Sequence, residues 1–309
     1  MADASSESEL VRHAVIGWPR EHPAPGTHFW ADQVVAGLRA NGARVEFRAI
    51  EQEREHENFI LLAEFGAGRE RHLIAFDPGD FPHIDEAVAR RALVYFKLQY
   101  ARSGYDQPNV VPGGYLLANN RAYRYLPLVR AIRSRRRFRY DVYGRFGLLY
   151  GGADVRRRAV ELLSARDDLR HEVSLFKYPG GPAKTPYRTS LFEIARAKVC
   201  VDMPGAGDLC TRLIDYMAVG ACVVGPPPGV RLPIPLVDGV HIVHCAPDLS
   251  DLGDICAELV GHEDERERIA RCARDYFDRH LHRRKLASYY LRQIVRAALA
   301  TDSGAGAWA

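Results

Sequence analysis

The apolar positions of this chain fall into short alternating or continuous β-branched runs, separated by longer stretches in which they recur every three or four residues. Residues 198–225 show the pattern at its clearest. Positions 199–203 alternate, Pro204-Gly205-Ala206-Gly207 is turn chemistry and 221–224 is a short apolar run, so two strands are predicted. Between them Leu209, Cys210, Leu213, Ile214, Met217 and Ala218 recur at helical spacing, with Asp208, Arg212 and Asp215 on the other face and Gly220 as the stop. Strand, helix and strand in this order imply a parallel sheet.

The same succession opens the chain. A strand is predicted at 13–17, a loop at 18–28, a helix at 29–41 with Trp30, Val34, Val35 and Leu38 inward, and a strand at 45–50. Residues 51–71 are charged and read as helix. Strands follow at 72–76, ending in the turn Asp77-Pro-Gly-Asp80, and at 92–97; residues 110–115 read as a loop. The second half predicts a strand at 139–144 running into a turn that carries Arg145, a helix at 155–163 and a strand at 173–176. A Gly- and Pro-rich loop at 178–186 and a helix at 188–196 come next. Helices are expected at 255–259, 264–280 and 285–299. The expected fold is α/β, with two Rossmann-like domains facing a cleft. Their bounds are 10–133 and 134–285, with a returning helix at 286–300 and disordered tails at 1–9 and 301–309.

Composition narrows the class. The chain has 309 residues, 47% hydrophobic and 27% charged, enough for two domains. No run approaches a membrane span, and the polar, acidic start MADASSESE lacks a signal core, so a cytoplasmic protein is expected. All six cysteines lie in the C-terminal half without CxxC spacing, which favours buried thiols over disulfides or zinc ligands. The net charge of +4 does not demand a nucleic-acid partner. Arg130, Arg133, Arg135, Arg136, Arg137 and Arg139 nevertheless cluster. They read as a solvated helix end or linker, the alternatives being a site for an anionic acceptor, a membrane surface or nucleic acid.

Candidate chemistry concentrates where the strand at 199–203 meets the helix after it, the usual ligand crevice of an open α/β sheet. Free N–H groups of Gly205, Gly207, Asp208 and Leu209 and the helix dipole favour an anion there, and Arg212 lies one turn in, where a guanidinium forks a phosphate. The plainer alternative makes Asp208 a helix cap, Asp208 and Arg212 a surface pair, and Asp215 solvated. No D-x-D metal motif stands out, so no metal site is expected, and Asp248 and Asp251 read as helix-start residues.

The run Arg212-Leu-Ile-Asp215-Tyr-Met-Ala-Val-Gly220-Ala-Cys-Val-Val-Gly225, with Gly239-Val-His241 and Asp248-Leu-Ser-Asp251-Leu beyond it, resembles the nucleotide-sugar segment of glycosyltransferases with the GT-B fold. The arginine ahead of the acidic residue is closer to their exostosin-like and protein O-glucosyltransferase-like branches. The resemblance spans about residues 140 to 285. It implies that Arg212 meets a donor diphosphate and Asp215 the donor ribose, and that Gly144-Arg145 sets a second cation against the diphosphate. The family's companion lysine is missing, with Tyr150 in that neighbourhood and Arg156 the nearest substitute. Gly207 stands where a retaining enzyme carries glutamate, which leaves the anomeric outcome open.

The expected activity is transfer of a sugar from a nucleotide-diphosphate donor to an unknown acceptor, without a cofactor. Lys184 in the 178–186 loop joins the donor set. His22 and His28, in the loop after the first strand, are candidates for the base of an inverting transfer. Lys97 is either a phosphate contact or a surface residue, and Asp77 and Asp80 either line the same cleft or form the turn and nothing else. The alternatives are an inert phosphate-binding relative or a nucleic-acid-associated protein that uses the arginine cluster.

Overall fold

The computed structural model describes residues 13–22, 28–52, 60–66, 71–148, 151–176 and 184–302; the expected tail at 1–9, that at 301–309 apart from Thr301 and Asp302, which are helical, Tyr150 and most of the 178–186 loop lie outside them. The fold is mixed α/β with two sheets rich in parallel pairs, and the chain divides into two compact units. The first unit comprises Met1–Leu116, Val230–Ile234 and His280–Ala309, and the second Leu117–Gly229 and Pro235–Arg279. The boundary drawn at 133 and 134 thus falls at the end of the second unit's first helix.

Among the described residues the first unit holds a six-stranded sheet, in the order β2-β1-β3-β4-β5-β6. Its strands are β1 (Val15–Pro19), β2 (Arg44–Arg48), β3 (Leu61–Phe65), β4 (His72–Asp77), β5 (Val94–Lys97) and β6 (Val110–Pro112). Strand β3 corrects the helix expected over 51–71, and it runs antiparallel to both β1 and β4. Leu61, Leu62 and Ala63 are all buried, and a short continuous apolar run flanked by charge has no period of its own to separate strand from helix. Residues 110–112 likewise form a parallel edge strand rather than a loop.

Helices α1 (His28–Ala40), α2 (Glu86–Arg91) and α9 (Arg283–Asp302) complete this unit. α9 lies on α1 across Gly37, where an added Cβ would come within 2.7 Å of the Ala287 Cβ. Stacked and edge-on contacts join Trp18, Trp30, Phe76, Phe96 and Tyr290 into one aromatic core, with centroids 4.7 to 5.6 Å apart. At the carboxyl ends of β4 and β5, Lys97 is neither a surface residue nor open to a phosphate. It is fully buried, and its Nζ donates to Asp77 Oδ2 at 2.8 Å. The Tyr95 hydroxyl donates to the same oxygen, while Gly79 N donates to Oδ1 at 2.9 Å and keeps the turn.

The second unit holds a five-stranded parallel sheet in the order β11-β10-β9-β7-β8. The strands are β7 (Tyr140–Gly147), β8 (His171–Phe176), β9 (Ala197–Val201), β10 (Cys222–Gly225) and β11 (Val243–His244). Around it pack α3 (Ala122–Ser134), α4 (Ala153–Ser164), α5 (Tyr187–Ile194), α6 (Thr211–Val219), α7 (Leu252–Gly261) and α8 (Glu263–Tyr276). Four of the six clustered arginines are exposed at and beyond the end of α3, as expected, while two are built into the fold. Arg133 is buried and donates to the Ala197 carbonyl at 2.6 Å. Arg130 donates to the Ala218 carbonyl and pairs with both oxygens of Asp278, and Arg136 meets Glu263. The exposed four are Arg135, Arg136, Arg137 and Arg139. None of the six cysteines is in a disulfide.

Candidate functional site

Strand β7 divides its side chains by alternation. Val142 and Phe146 enter the core, while Tyr143, Arg145 and Gly147 line a cavity of about 290 Å³ within the second unit. Arg145 therefore sits in the strand and not in a turn after it. The other walls come from Arg156 on α4, Lys184, Tyr187 on α5, and the first turns of α6.

Helix α6 is shorter and more deeply buried than its periodicity suggests. It begins at Thr211 with Cys210 as its extended N-cap, and no side chain caps its first turn. The glycine-bearing loop takes up the residues ahead of it, closed by Gly205 N donating to the Gly207 carbonyl. Asp208 is thus outside the helix and is neither its cap nor the partner of Arg212; its carboxylate accepts from Gly229 N at 2.7 Å. Every residue of 213–219 is buried, Asp215 included, so Asp208, Arg212 and Asp215 share no solvated face. Gly220 ends the helix at φ 86°, the left-handed conformation that glycine accepts without strain.

Three arginines reach this region in different electrostatic conditions. Arg145 is neutralised: its Nε and Nη2 each lie 3.0 Å from Glu193, and Glu172 is at 3.2 Å. Arg212 is held by Asp202 at 2.9 Å, by the Met203 carbonyl at 2.6 Å and by the face of Phe146 at 4.7 Å. Burial opposes its charge, but Asp202 overrides burial and keeps the guanidinium above its ordinary pKa. Three of its five N–H groups are occupied.

Arg156 has no carboxylate within salt-bridge reach among the described residues. It is 6% exposed, donates to the Gly147 carbonyl and reaches Cys210 Sγ at 3.7 Å, while its buried Nε has no hydrogen-bond partner. Burial, and then the neighbouring charge of Arg212, lowers its pKa. Burying a cation without a partner carboxylate is costly, and an anion bound beside it would offset that cost.

Asp215 is the acidic counterpart. Its Oδ1 accepts from Ala118 N at 3.2 Å and from the Tyr187 hydroxyl at 2.8 Å, while Oδ2 accepts from no described residue. Burial pushes the carboxyl up to about 7, against the pull of these hydrogen bonds. The Tyr216 hydroxyl, also buried at the cavity wall, has no hydrogen-bond partner among the described residues.

Of the residues singled out in the sequence, Arg145, Arg212, Asp215 and Lys184 line this one cavity. Gly205, Gly207, Asp208 and Leu209 do not line it. Gly205 instead packs under Arg156, where an added Cβ would lie 2.7 Å from Nη2. His22 belongs to the first unit, half-buried after β1, and His28 opens α1 with its side chain outside the described residues. Sequence reading missed Asp202, Glu193 and Tyr187. Asp202 alone left a trace, a carboxylate at the end of a buried strand just before Pro-Gly. Among the described residues no group of three or more His, Cys, Asp or Glu is placed to hold a metal ion, and no helix is long and apolar enough to cross a membrane. The chain matches no protein-family model, and no curated protein matches it.

Proposed function

We propose that this chain is a glycosyltransferase of the GT-B plan that takes a nucleotide-diphosphate sugar into the cavity of its second unit. The observation that carries the reading is Arg156, a buried guanidinium without a carboxylate, beside the uncapped start of α6 and in the same cavity as the open Oδ2 of Asp215. The cation and the helix terminus suit a diphosphate, and the carboxylate suits ribose hydroxyls. As the bond from sugar to diphosphate breaks, negative charge grows on the leaving group; Arg156, Arg212 and the α6 terminus stabilise it. Lys184 adds a cation at the exposed rim.

Thermal unfolding against UDP, GDP, TDP and CMP and their sugar conjugates, with and without magnesium, tests this reading. A ligand at 100 times its dissociation constant stabilises the native state by about 2.7 kcal/mol. The expected result is a magnesium-independent rise with one nucleoside diphosphate that exceeds the rise with its monophosphate. No response to any of them at millimolar concentration overturns the assignment.

A further inference from the structure

Cys210 stands apart from the four buried cysteines. It is the extended N-cap of α6, at the wall of the cavity, and it is partly accessible where Cys200, Cys222, Cys245 and Cys256 are buried. Arg156 Nη2 stands 3.7 Å from its sulfur, and the Nε of the same guanidinium is buried without a partner. Among the described residues Arg156 thus has no carboxylate within salt-bridge reach, and a sulfur anion at Cys210 would supply a counter-charge. The uncapped α6 terminus adds its partial positive charge to the same spot.

The surrounding charges point the same way. From α4 the sulfur faces Arg156, and from its own helix Arg212, whose charge is shared with Asp202 at the end of β9. The nearest acid in the loop, Asp208, is turned to Gly229 N. The Met203 carbonyl, 3.9 Å away, favours the protonated thiol, but it already accepts from Arg212 at 2.6 Å.

We propose that Cys210 is a redox-responsive modification site, a thiolate that exchanges with low-molecular-weight disulfides and then blocks the anion end of the cavity. In this step the thiolate attacks one sulfur of the disulfide, the S–S bond breaks, and the released thiolate takes a proton from water. Cys210 is left as a mixed disulfide beside Thr211 and Arg156. A second thiol reverses the exchange, so the cavity opens and closes with the thiol-to-disulfide ratio. The modification rests on the cavity's geometry and not on the identity of the donor.

The test is the pH dependence of alkylation of the full chain by iodoacetamide, a neutral reagent, followed residue by residue through peptide mass spectrometry. Cys272, also partly exposed, is the internal reference. The expected result is a half-maximal rate for Cys210 at least one pH unit below that of Cys272, and at least tenfold faster alkylation at pH 7. Equal midpoints, or a slower Cys210, overturn the proposal without any variant. In Arg156→Gln, with folding checked by circular dichroism, the midpoint is expected to return toward that of Cys272. An unchanged midpoint removes Arg156 from the account and overturns the pairing on which the proposal stands. Glutathione disulfide should then add one glutathione to Cys210 in the wild type, reversibly with dithiothreitol, and abolish stabilisation by inorganic pyrophosphate. Pyrophosphate that stabilises the modified chain equally overturns the blocking step. A chain in which Cys210 reacts as expected while no nucleotide binds refutes the donor reading alone.

Discussion

Each unit places a buried cation at the carboxyl end of a parallel strand, and the two are finished differently. In the first unit Lys97 and Asp77 pair with one another, with Tyr95 and Gly79 completing the carboxylate. In the second, Asp202 answers Arg212 but Arg156 goes unanswered, and Asp215 keeps an oxygen unused. The same position in two α/β sheets thus serves once as a strut and, on the function proposed above, once as a receptor. What separates them is the balance of cations and carboxylates, not the topology.

The largest effect should come from breaking the strut. Lys97→Met leaves Asp77 buried against Tyr95 without its counter-ion, and should cost about 3–5 kcal/mol in denaturant unfolding. Asp77→Asn in the same chain removes the stranded charge and should recover much of that loss. A single variant as stable as wild type would mean that the pair contributes nothing and that the contrast between the units is wrong.

Next is Asp215. Its carboxyl titrates near 7 in the folded chain and near 3.8 unfolded, so the folded state holds the proton more tightly. Below about pH 4 both states are protonated and no penalty arises. Between pH 4 and 7 the unfolded state ionises first and stability falls; above 7 the penalty is complete, at about 4 kcal/mol. Asp215→Asn, which keeps the acceptor oxygen for Tyr187, should therefore flatten this decline and be the more stable chain at pH 8. Parallel stability profiles of the two chains between pH 4 and 8 would refute it.

A smaller and more selective effect belongs to the receptor cation. Arg156→Gln removes an unanswered buried charge, so stability should hold or rise while affinity for a nucleoside diphosphate falls by about 1.5–3 kcal/mol, the usual worth of hydrogen bonds to a charged group. Arg212→Ala should lose affinity and stability together, because Asp202 is then stranded. Calorimetric titration beside denaturant unfolding separates the two patterns, and identical behaviour would erase the distinction between the arginines.

How far the sequence foretold this arrangement follows from where information is local. The β-α-β rhythm around α6 and the glycine stop at Gly220 were legible, because side-chain spacing and left-handed backbone are properties of neighbouring residues. Asp208 was placed on the helix because helical spacing runs through it, whereas the helix start is set by the Gly205 turn and by the bond from Gly229, 21 positions away. The burial of Lys97 and of Asp215 was illegible for the same reason. Asp77 lies 20 residues from Lys97, and Ala118 lies 97 from Asp215. The motif picked out Arg212, yet only the packed structure shows that Asp202 occupies it and that Arg156 is a buried cation with no carboxylate in salt-bridge reach among the described residues.

Arg145 provides the finest test of the comparison. The sequence makes it a cation for the diphosphate, but Glu193 and Glu172 pair with it as Asp77 pairs with Lys97, in a more exposed setting. If occupancy by a carboxylate separates strut from receptor, Arg145→Gln should change diphosphate affinity by less than about 1 kcal/mol, within the range of partly exposed ion pairs. Glu193→Gln should do the opposite, releasing the guanidinium toward the cavity and tightening pyrophosphate binding a few-fold at low salt, a gain that added salt screens away. Titrating pyrophosphate into both variants at two salt concentrations decides the matter. A large loss from Arg145→Gln would mean that the arginine leaves Glu193 when ligand arrives. In that case the charge balance of the empty cavity is a poor guide to the filled one, and Arg145 joins Arg156 in the receptor.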